Sequence, residues 1–262
     1  MSEERVEEVS SGEEAPETTT PTCLNCRAEL VGPYCAACGQ RHRGERLTAR
    51  ELVQELLETL LSVDSRLWRT LVDLSHRPGL MARHYVWGAR RRYLNPMGYL
   101  LACVAFYYLL ASVTGFNSME VWRPIEGEPL PADGFMGFLQ ENERILITGT
   151  VPLLVVFFTL AFWSCDRTLA ESAAFTAFVT GHATLLGAML FPTVLLVPES
   201  LLWALPIYLL ASTVYYTWAA RSFYGVSLWA ATWRTLLVMM GWMILGNTIG
   251  MALMFIAWKI LK

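Results

Sequence analysis

The sequence predicts an all-α polytopic membrane protein, in which a small four-cysteine zinc ribbon and amphipathic helices precede about five transmembrane helices. Three observations support this fold class. Hydrophobic residues make up 54% of the 262 residues, whereas ordinary soluble domains contain about 45–50%. Four cysteines lie in two C-x-x-C pairs near the start of the chain, and five long runs without a charged side chain follow.

The segment 1–22 is acidic and lacks aromatic side chains and any apolar run. Such a composition buries too little apolar surface to offset chain entropy, so we predict a disordered acidic tail. The basic start and apolar segment of a signal peptide are also missing. We therefore expect the N-terminus to stay in the cytoplasm.

The cysteine pairs lie in the stretch CLNCRAELVGPYCAAC, which covers residues 23–38. The turn-forming pair Gly32-Pro33 lies between the two C-x-x-C pairs, so the chain can bring four thiolates around one ion. Tetrahedral coordination by four cysteines is what structural zinc favours. We predict a zinc ribbon over residues 23–40 with Zn²⁺ as a structural cofactor. Its ligands are Cys23, Cys26, Cys35 and Cys38.

Other uses of the four cysteines stay open. A redox pair, an iron–sulfur centre and unliganded thiols are the alternatives, whereas disulfides rarely persist in a reducing compartment. Gly39 follows the second pair, where the turn favours a residue that tolerates positive φ. Arg27 stands at the matching position of the first pair. The ribbon would present a surface to a partner or cap the domain that follows.

An amphipathic helical linker is predicted for residues 47–92. Thr48 and Glu51 form a capping box, and leucines then recur at helical spacing. Asp64 begins a second helix that ends before Pro78. The apolar faces of these helices need a cover, which could be the ribbon, each other, a second protomer or the membrane surface.

Arginines and aromatic residues alternate at the end of this linker, directly before the first long apolar run. This pattern is typical of a cytoplasmic membrane interface, and the cluster could also bind anionic lipid headgroups. The residues of this lipid or interface site are Arg83, Arg90, Arg91, Arg92 and Tyr93. We expect membrane lipids as partners. Nucleic acid is not expected, because the basic stretch 41–50 has no interleaved aromatics or recognition helix.

The domain 93–262 holds the uncharged runs. We expect spans at about 96–116, 145–165, 174–197, 200–220 and 235–258, since each run can supply the roughly 20 residues that cross the hydrocarbon core. The distribution of arginines predicts a multi-pass membrane protein with its N-terminus in the cytoplasm and its C-terminus outside. A re-entrant last run would return the C-terminus to the cytoplasm.

Polar side chains inside the predicted spans are few. Transporters usually keep ionisable residues there, and His182 and Asn247 are the strongly polar candidates for an intramembrane site. A lone histidine is more often hydrogen-bonded to a neighbouring helix. Arg167 is expected to pair with Asp166, Glu171 or the arginine cluster. No H-E-x-x-H or G-x-S-x-G motif is present, so we do not expect an enzyme.

Three motifs, YCAACGQ, TLVDLSHRPG and YVWGARRRYLNPMGYLL, occur in this order. With them the chain resembles, over about residues 23–110, a bacterial family of uncharacterised integral membrane proteins with an N-terminal zinc ribbon, known as a domain of unknown function. The resemblance implies a ribbon, a short helical linker and a multi-span domain. It implies no activity.

The function expected from these features and from the resemblance is that of an interaction or scaffold protein at the bacterial inner (cytoplasmic) membrane. The cytoplasmic ribbon and the leucine-rich helices would dock a protein partner or a second protomer, while the spans hold them at the bilayer. The alternative is a small-molecule or lipid transporter whose path is lined by His182, Asn247 and aromatic residues.

Overall fold

The computed structural model describes residues 21–40, 66–114, 134–196 and 201–261. The predictions for the acidic tail before residue 21 and for the helix that begins at Thr48 lie outside these residues. The chain divides between His42 and Arg43 into two compact units, and each unit is described by itself.

The described part of the first unit is a small module built of turns. An isolated antiparallel bridge pairs Thr22 with Glu29. Cys23, Leu30 and Cys35 form its buried centre. Since two of these three residues are cysteines, the module has little apolar core of its own.

The second unit is helical in its described part. Its α-helices are α1 (Arg66–His76), α2 (Pro78–Val86), α3 (Pro96–Thr114), α4 (Gly134–Glu141), α5 (Glu143–Gly149), α6 (Val151–Ala161), α7 (Leu169–Ala188), α8 (Phe191–Leu196), α9 (Leu201–Tyr224), α10 (Leu228–Gly241) and α11 (Asn247–Leu261). A 3-10 turn, Trp163–Cys165, follows α6, and a π-helical turn, Trp242–Gly246, joins α10 to α11.

Helix α7 lies at the centre of the bundle. It begins with a capping box, in which the Glu171 backbone N–H donates to Thr168 Oγ1 and the Thr168 N–H donates to the Glu171 carboxylate. Helices α1, α2, α3, α6 and α9 all pack against α7. A helix covered on so many sides has no amphipathic stripe, and α7 is accordingly apolar around most of its circumference.

Aromatic side chains fill the space around α7. The Phe175 ring stacks on Phe223 at 4.6 Å and meets Phe158 edge-on at 5.4 Å between centroids. Phe162 stacks on Tyr224 at 4.1 Å. These contacts join α6, α7 and α9 into one core.

The helices predicted as an amphipathic linker, α1 and α2, pack onto this core. Leu74, Met81 and Tyr85 are buried, so α7 and α9 provide the cover that their apolar faces need. Pro78 both ends α1 and occupies the first turn of α2, where its missing N–H costs nothing. At Gly79 a Cβ atom would overlap backbone and side-chain atoms of α9, so only glycine allows this close approach.

Three helical segments of the described residues are long and apolar enough to cross a membrane, Pro96–Thr114, Leu169–Thr193 and Leu228–Ile260. They are consistent with a membrane protein. The expectation of five spans is not supported. The two other runs, 145–165 and 200–220, do not give such helices.

The run 145–165 is divided between α5 and α6, with Pro152 in the first turn of α6. Helix α6 has 11 residues, and a helix of that length covers only about 16 Å of the roughly 30 Å hydrocarbon core. The run 200–220 forms α9, which is long but carries tyrosine and threonine side chains. Three of its tyrosine hydroxyls donate hydrogen bonds inside the bundle, to Ala183, Leu74 and Thr180. Counting charges alone overlooked these neutral polar groups.

Candidate metal centre

The first unit contains two turns of the same geometry, one for each C-x-x-C pair. In the first, the Cys23 N–H donates to the Ala28 carbonyl and the Arg27 N–H donates back to the Cys23 carbonyl, both at 2.8 Å. In the second, the Cys35 N–H donates to Gln40 at 2.8 Å and the Gly39 N–H donates to Cys35 at 2.7 Å. The module is therefore a repeated six-residue turn.

The residue after each pair has a positive φ. Gly39 has a φ of 66° and Arg27 has a φ of 62°. Glycine adopts this conformation freely, whereas another L-residue pays about 1–2 kcal/mol. Arg27, which departs from the expected glycine in sequence, thus takes the same backbone conformation at a cost in strain.

The two turns bring the four thiols together. All four Sγ atoms lie within 4.8 Å of one another. Cys23 Sγ lies 3.6 Å from Cys38 Sγ, and Cys26 Sγ lies 3.5 Å from Cys35 Sγ. Tetrahedral coordination with zinc–sulfur bonds of about 2.3 Å requires sulfur–sulfur distances of about 3.8 Å. The cluster therefore has nearly the dimensions of a tetrahedral site with four sulfur ligands.

The thiols differ in their tendency to lose a proton. Burial, the largest effect on Cys38, raises its pKa, but hydrogen bonds from Asn25, the Gln40 backbone and the neighbouring thiols outweigh it and lower the pKa to about 6. At Cys26 the Ala28 backbone hydrogen bond lowers the pKa, yet hydrogen bonding to Cys35 and burial raise it to about 12. Cys38 is thus favoured as a thiolate and Cys26 as a protonated thiol, and a bound cation would displace the remaining protons.

The donor set limits which ions fit. Four soft sulfur ligands suit zinc or iron and do not suit magnesium or calcium, which require oxygen. All four positions of a tetrahedron come from the protein, so the arrangement leaves no open position for a substrate. Cys103 and Cys165 lie in the second unit and do not belong to this cluster.

The predicted lipid-site residues do not all play one role. Tyr93 donates a hydrogen bond to the Asp73 carboxylate at 2.8 Å, and Arg92 forms an ion pair with the same carboxylate at 3.8 Å. Burial and the bond to Asp73 raise the pKa of Tyr93 to about 12. Arg91 is exposed and Arg90 is half-buried. Arg92 and Tyr93 therefore connect the start of α3 to α1.

Arg83 contacts an aromatic ring instead of a carboxylate. Its guanidinium carbon lies 4.0 Å from the centroid of the Trp87 ring. Arg167 approaches the same ring at 5.7 Å, whereas the sequence predicts a pairing with Asp166, Glu171 or the arginine cluster. Its guanidinium donates to the Phe223 carbonyl at 3.4 Å. No local sequence pattern indicates this contact, since it joins residues far apart in the chain.

His182 and Asn247 form separate hydrogen bonds. His182 is buried, with Nδ1 2.8 Å from the Tyr99 hydroxyl on α3 and Nε2 3.2 Å from Ser75 Oγ on α1. Asn247 donates to the Met243 carbonyl one turn earlier. His182 thus links three helices, which is the packing role that a lone histidine most often has.

Comparison with known proteins gives one partial match. Residues 64–108 match a family described as "Protein of unknown function (DUF3667)". No curated protein and no solved structure matches the chain. The match covers α1, α2 and most of α3, including the Pro78-Gly79 turn, and the cysteine cluster lies outside it. The family match is therefore confined to the first three described helices.

Proposed function

We propose that the protein is a membrane-anchored interaction protein whose cysteine ribbon binds one structural Zn²⁺ ion and docks a partner protein. One observation carries the proposal: a closed four-thiol site lies in a module that exposes large apolar side chains. Leu24 is 53% exposed, Val31 is 95% exposed and Tyr34 is 60% exposed.

Zinc is favoured by the geometry of the site. A tetrahedral set of four thiolates suits zinc or iron–sulfur chemistry, and the sulfur–sulfur distances fit a single small ion at the centre. Four protein ligands make the zinc structural and not catalytic. Because the module has so small a core, the metal supplies most of its folding free energy.

Docking is favoured by the exposed side chains. The centre of the module consists of Cys23, Leu30 and Cys35, so Leu24, Val31 and Tyr34 are not needed to hold the ribbon together. Exposed tyrosine is typical of the centre of protein interfaces, where aromatic side chains are enriched. The apolar helical segments of the second unit would anchor the ribbon at the bacterial inner membrane, with the ribbon in the reducing cytoplasm, where free thiols persist.

The metal is tested by elemental analysis of the full-length protein purified in detergent. We expect one zinc per chain in the wild type, loss of zinc in Cys35→Ser, and retention in the matched variant Cys165→Ser. Iron in place of zinc, or a metal content that Cys35→Ser does not change, would overturn the zinc assignment.

The docking surface is tested by photo-crosslinking in native membranes. A crosslinking amino acid at Val31 or Tyr34 should give one adduct of defined mass, whereas the same probe at Glu29, also exposed on the ribbon, should not. The adduct should disappear in a Cys35→Ser background. An adduct of twice the chain mass identifies a second protomer as the partner, and adducts with lipid alone contradict protein docking.

The transporter alternative gains no support from the geometry. The ring nitrogens of His182 are engaged with Tyr99 and Ser75, and Asn247 is engaged with its own helix. These residues do not meet in a common polar path through their observed hydrogen bonds. We therefore do not advance transport as a second function.

A further inference from the structure

Two arginines approach one tryptophan at the end of the bundle where α9 ends and α7 begins. The Arg83 guanidinium carbon, from α2, lies 4.0 Å from the centroid of the Trp87 ring. That of Arg167, two residues before α7, lies 5.7 Å from the same centroid and 5.2 Å from the ring of Phe223. The Trp87 ring is thus approached by two cations that come from residues far apart in sequence.

No carboxylate neutralises these two arginines in the described part of the chain. Arg167 donates one hydrogen bond, to the Phe223 carbonyl, and the Nε atoms of Arg83 and Arg167 are shielded from solvent without a hydrogen-bond partner. The nearby Glu171 carboxylate accepts the Thr168 N–H in the capping box. Arg92 differs from these two arginines, because it forms an ion pair with the Asp73 carboxylate.

This arrangement holds the guanidinium groups in place without a direct ion pair to a carboxylate among the described residues. Cation–π contacts contribute about 0.5–2 kcal/mol, and the carbonyl groups at the end of α9 attract cations. Each guanidinium carries five N–H donors, and the observed contacts use few of them. Trp87 is 49% exposed, so a ligand can reach the site from outside.

We propose that Arg83 and Arg167 together bind a phosphate group. The planar fork of a guanidinium matches two phosphate oxygens, and a phosphate would balance the two positive charges. The phosphate could belong to an anionic lipid headgroup or to a free phosphate compound. The site lies just before the apolar segments that begin at Leu169 and Leu228, and arginine with tryptophan is typical of headgroup depth.

This site is independent of the cysteine ribbon, so it goes beyond the proposed docking function. It differs from the interface cluster expected from sequence, because it includes Arg167 and excludes Arg92 and Tyr93. Arg221 offers a matched control, since it lies in the last turn of α9, is exposed and makes no contact with Trp87 among the described interactions.

The test uses full-length protein in an uncharged detergent at fixed ionic strength. Phosphatidylglycerol, phosphatidylcholine of the same acyl chains and inorganic phosphate are titrated separately, and binding is followed by native mass spectrometry and by the thermal unfolding midpoint. We expect phosphatidylglycerol to bind more tightly than phosphatidylcholine. Each of Arg83→Gln and Arg167→Gln should weaken this binding about tenfold, the double variant about a hundredfold, and Arg221→Gln should leave it unchanged.

The titrations separate the sources of the phosphate. Inorganic phosphate that binds in the wild type, competes with phosphatidylglycerol and is lost in the double variant supports a site for free phosphate. Its failure to compete, together with preference for phosphatidylglycerol, supports the lipid. If the double variant does not fold, the two single variants decide, and unchanged binding in both overturns the proposal. Equal binding of phosphatidylglycerol and phosphatidylcholine, with no binding of inorganic phosphate, overturns the proposal.

Discussion

The ribbon and the helical bundle of this protein are held together in opposite ways. The ribbon has a buried centre of Cys23, Leu30 and Cys35, and its turns direct four thiols to one point. The bundle buries rings such as Phe175 and Phe178 completely. Its buried polar side chains form hydrogen bonds with each other, as Tyr99 does with His182. The ribbon thus has little packing of its own, whereas the bundle depends on packing.

The two regions differ in the contacts that determine their structure. The structure of the ribbon is determined by local contacts, because two six-residue turns repeat the same hydrogen bonds. The structure of the bundle is determined by contacts between residues far apart in sequence, as between Gly79 on α2 and Ala219 on α9. A perturbation of one region should therefore leave the other intact, and the following experiments test this separation.

Removal of metal should have the largest effect. We expect a strong chelator to abolish the protection of the Cys23 and Cys35 N–H groups against hydrogen exchange, because the proposed metal would supply the folding free energy of the ribbon. Peptides from α7 should exchange as slowly as before. Hydrogen exchange with mass spectrometry measures both in one sample, and simultaneous loss of protection in α7 would show that the two regions are coupled.

Loss of a central ring should destabilise the bundle by about 3–5 kcal/mol. Phe175→Ala removes contacts with Phe158 and Phe223 and leaves a cavity next to α7. The free energy of unfolding in detergent measures the effect, and zinc content should not change. The matched control is Phe106→Ala, because Phe106 is 49% exposed. An equal loss in both variants would argue against the packed core.

The close approach of α2 to α9 should be sensitive to a single methyl group. Gly79→Ala places a Cβ atom against α9, so the helices must separate, at about 1–3 kcal/mol. In Gly149→Ala the added Cβ meets open space at the last residue of α5, so the free energy of unfolding should change little. Unfolding free energies distinguish the two, and a neutral Gly79→Ala would mean that α2 does not pack as described.

Alkaline pH should give the smallest effect. The Tyr93 phenol has a pKa of about 12 in the folded protein and a reference value of 10.0. Its contribution to stability is therefore complete below pH 10 and is lost as the pH rises to about 12. Tyr93→Phe should show a shallower loss of stability over this range, whereas Tyr34→Phe, on the exposed surface of the ribbon, should retain the wild-type slope. Equal slopes for all three proteins would contradict the Tyr93–Asp73 bond.

The same contrast explains what sequence reasoning could predict. The cysteine cluster was predicted from spacing alone, because its geometry is set by a few neighbouring residues. The start of α2 at Pro78 had a local signal, yet the partner of Gly79 did not. The run 200–220 has no charged residue and was expected to span the membrane. Its Tyr216 hydroxyl donates a hydrogen bond to Thr180, which shows why this run forms a helix of the core instead. The contact between Arg167 and Trp87 depends on the whole fold and had no local signal.

The segment Leu228–Ile260 has a consequence for the thickness of the membrane that it fits. Its 33 residues extend about 50 Å, well beyond a hydrocarbon core of about 30 Å. The pairs Trp233-Arg234 and Trp258-Lys259 are separated by roughly 36 Å of helix, which a tilt within the usual range accommodates. Hydrophobic mismatch would then place the residues before Trp233 in the headgroup layer and make the protein sensitive to bilayer thickness.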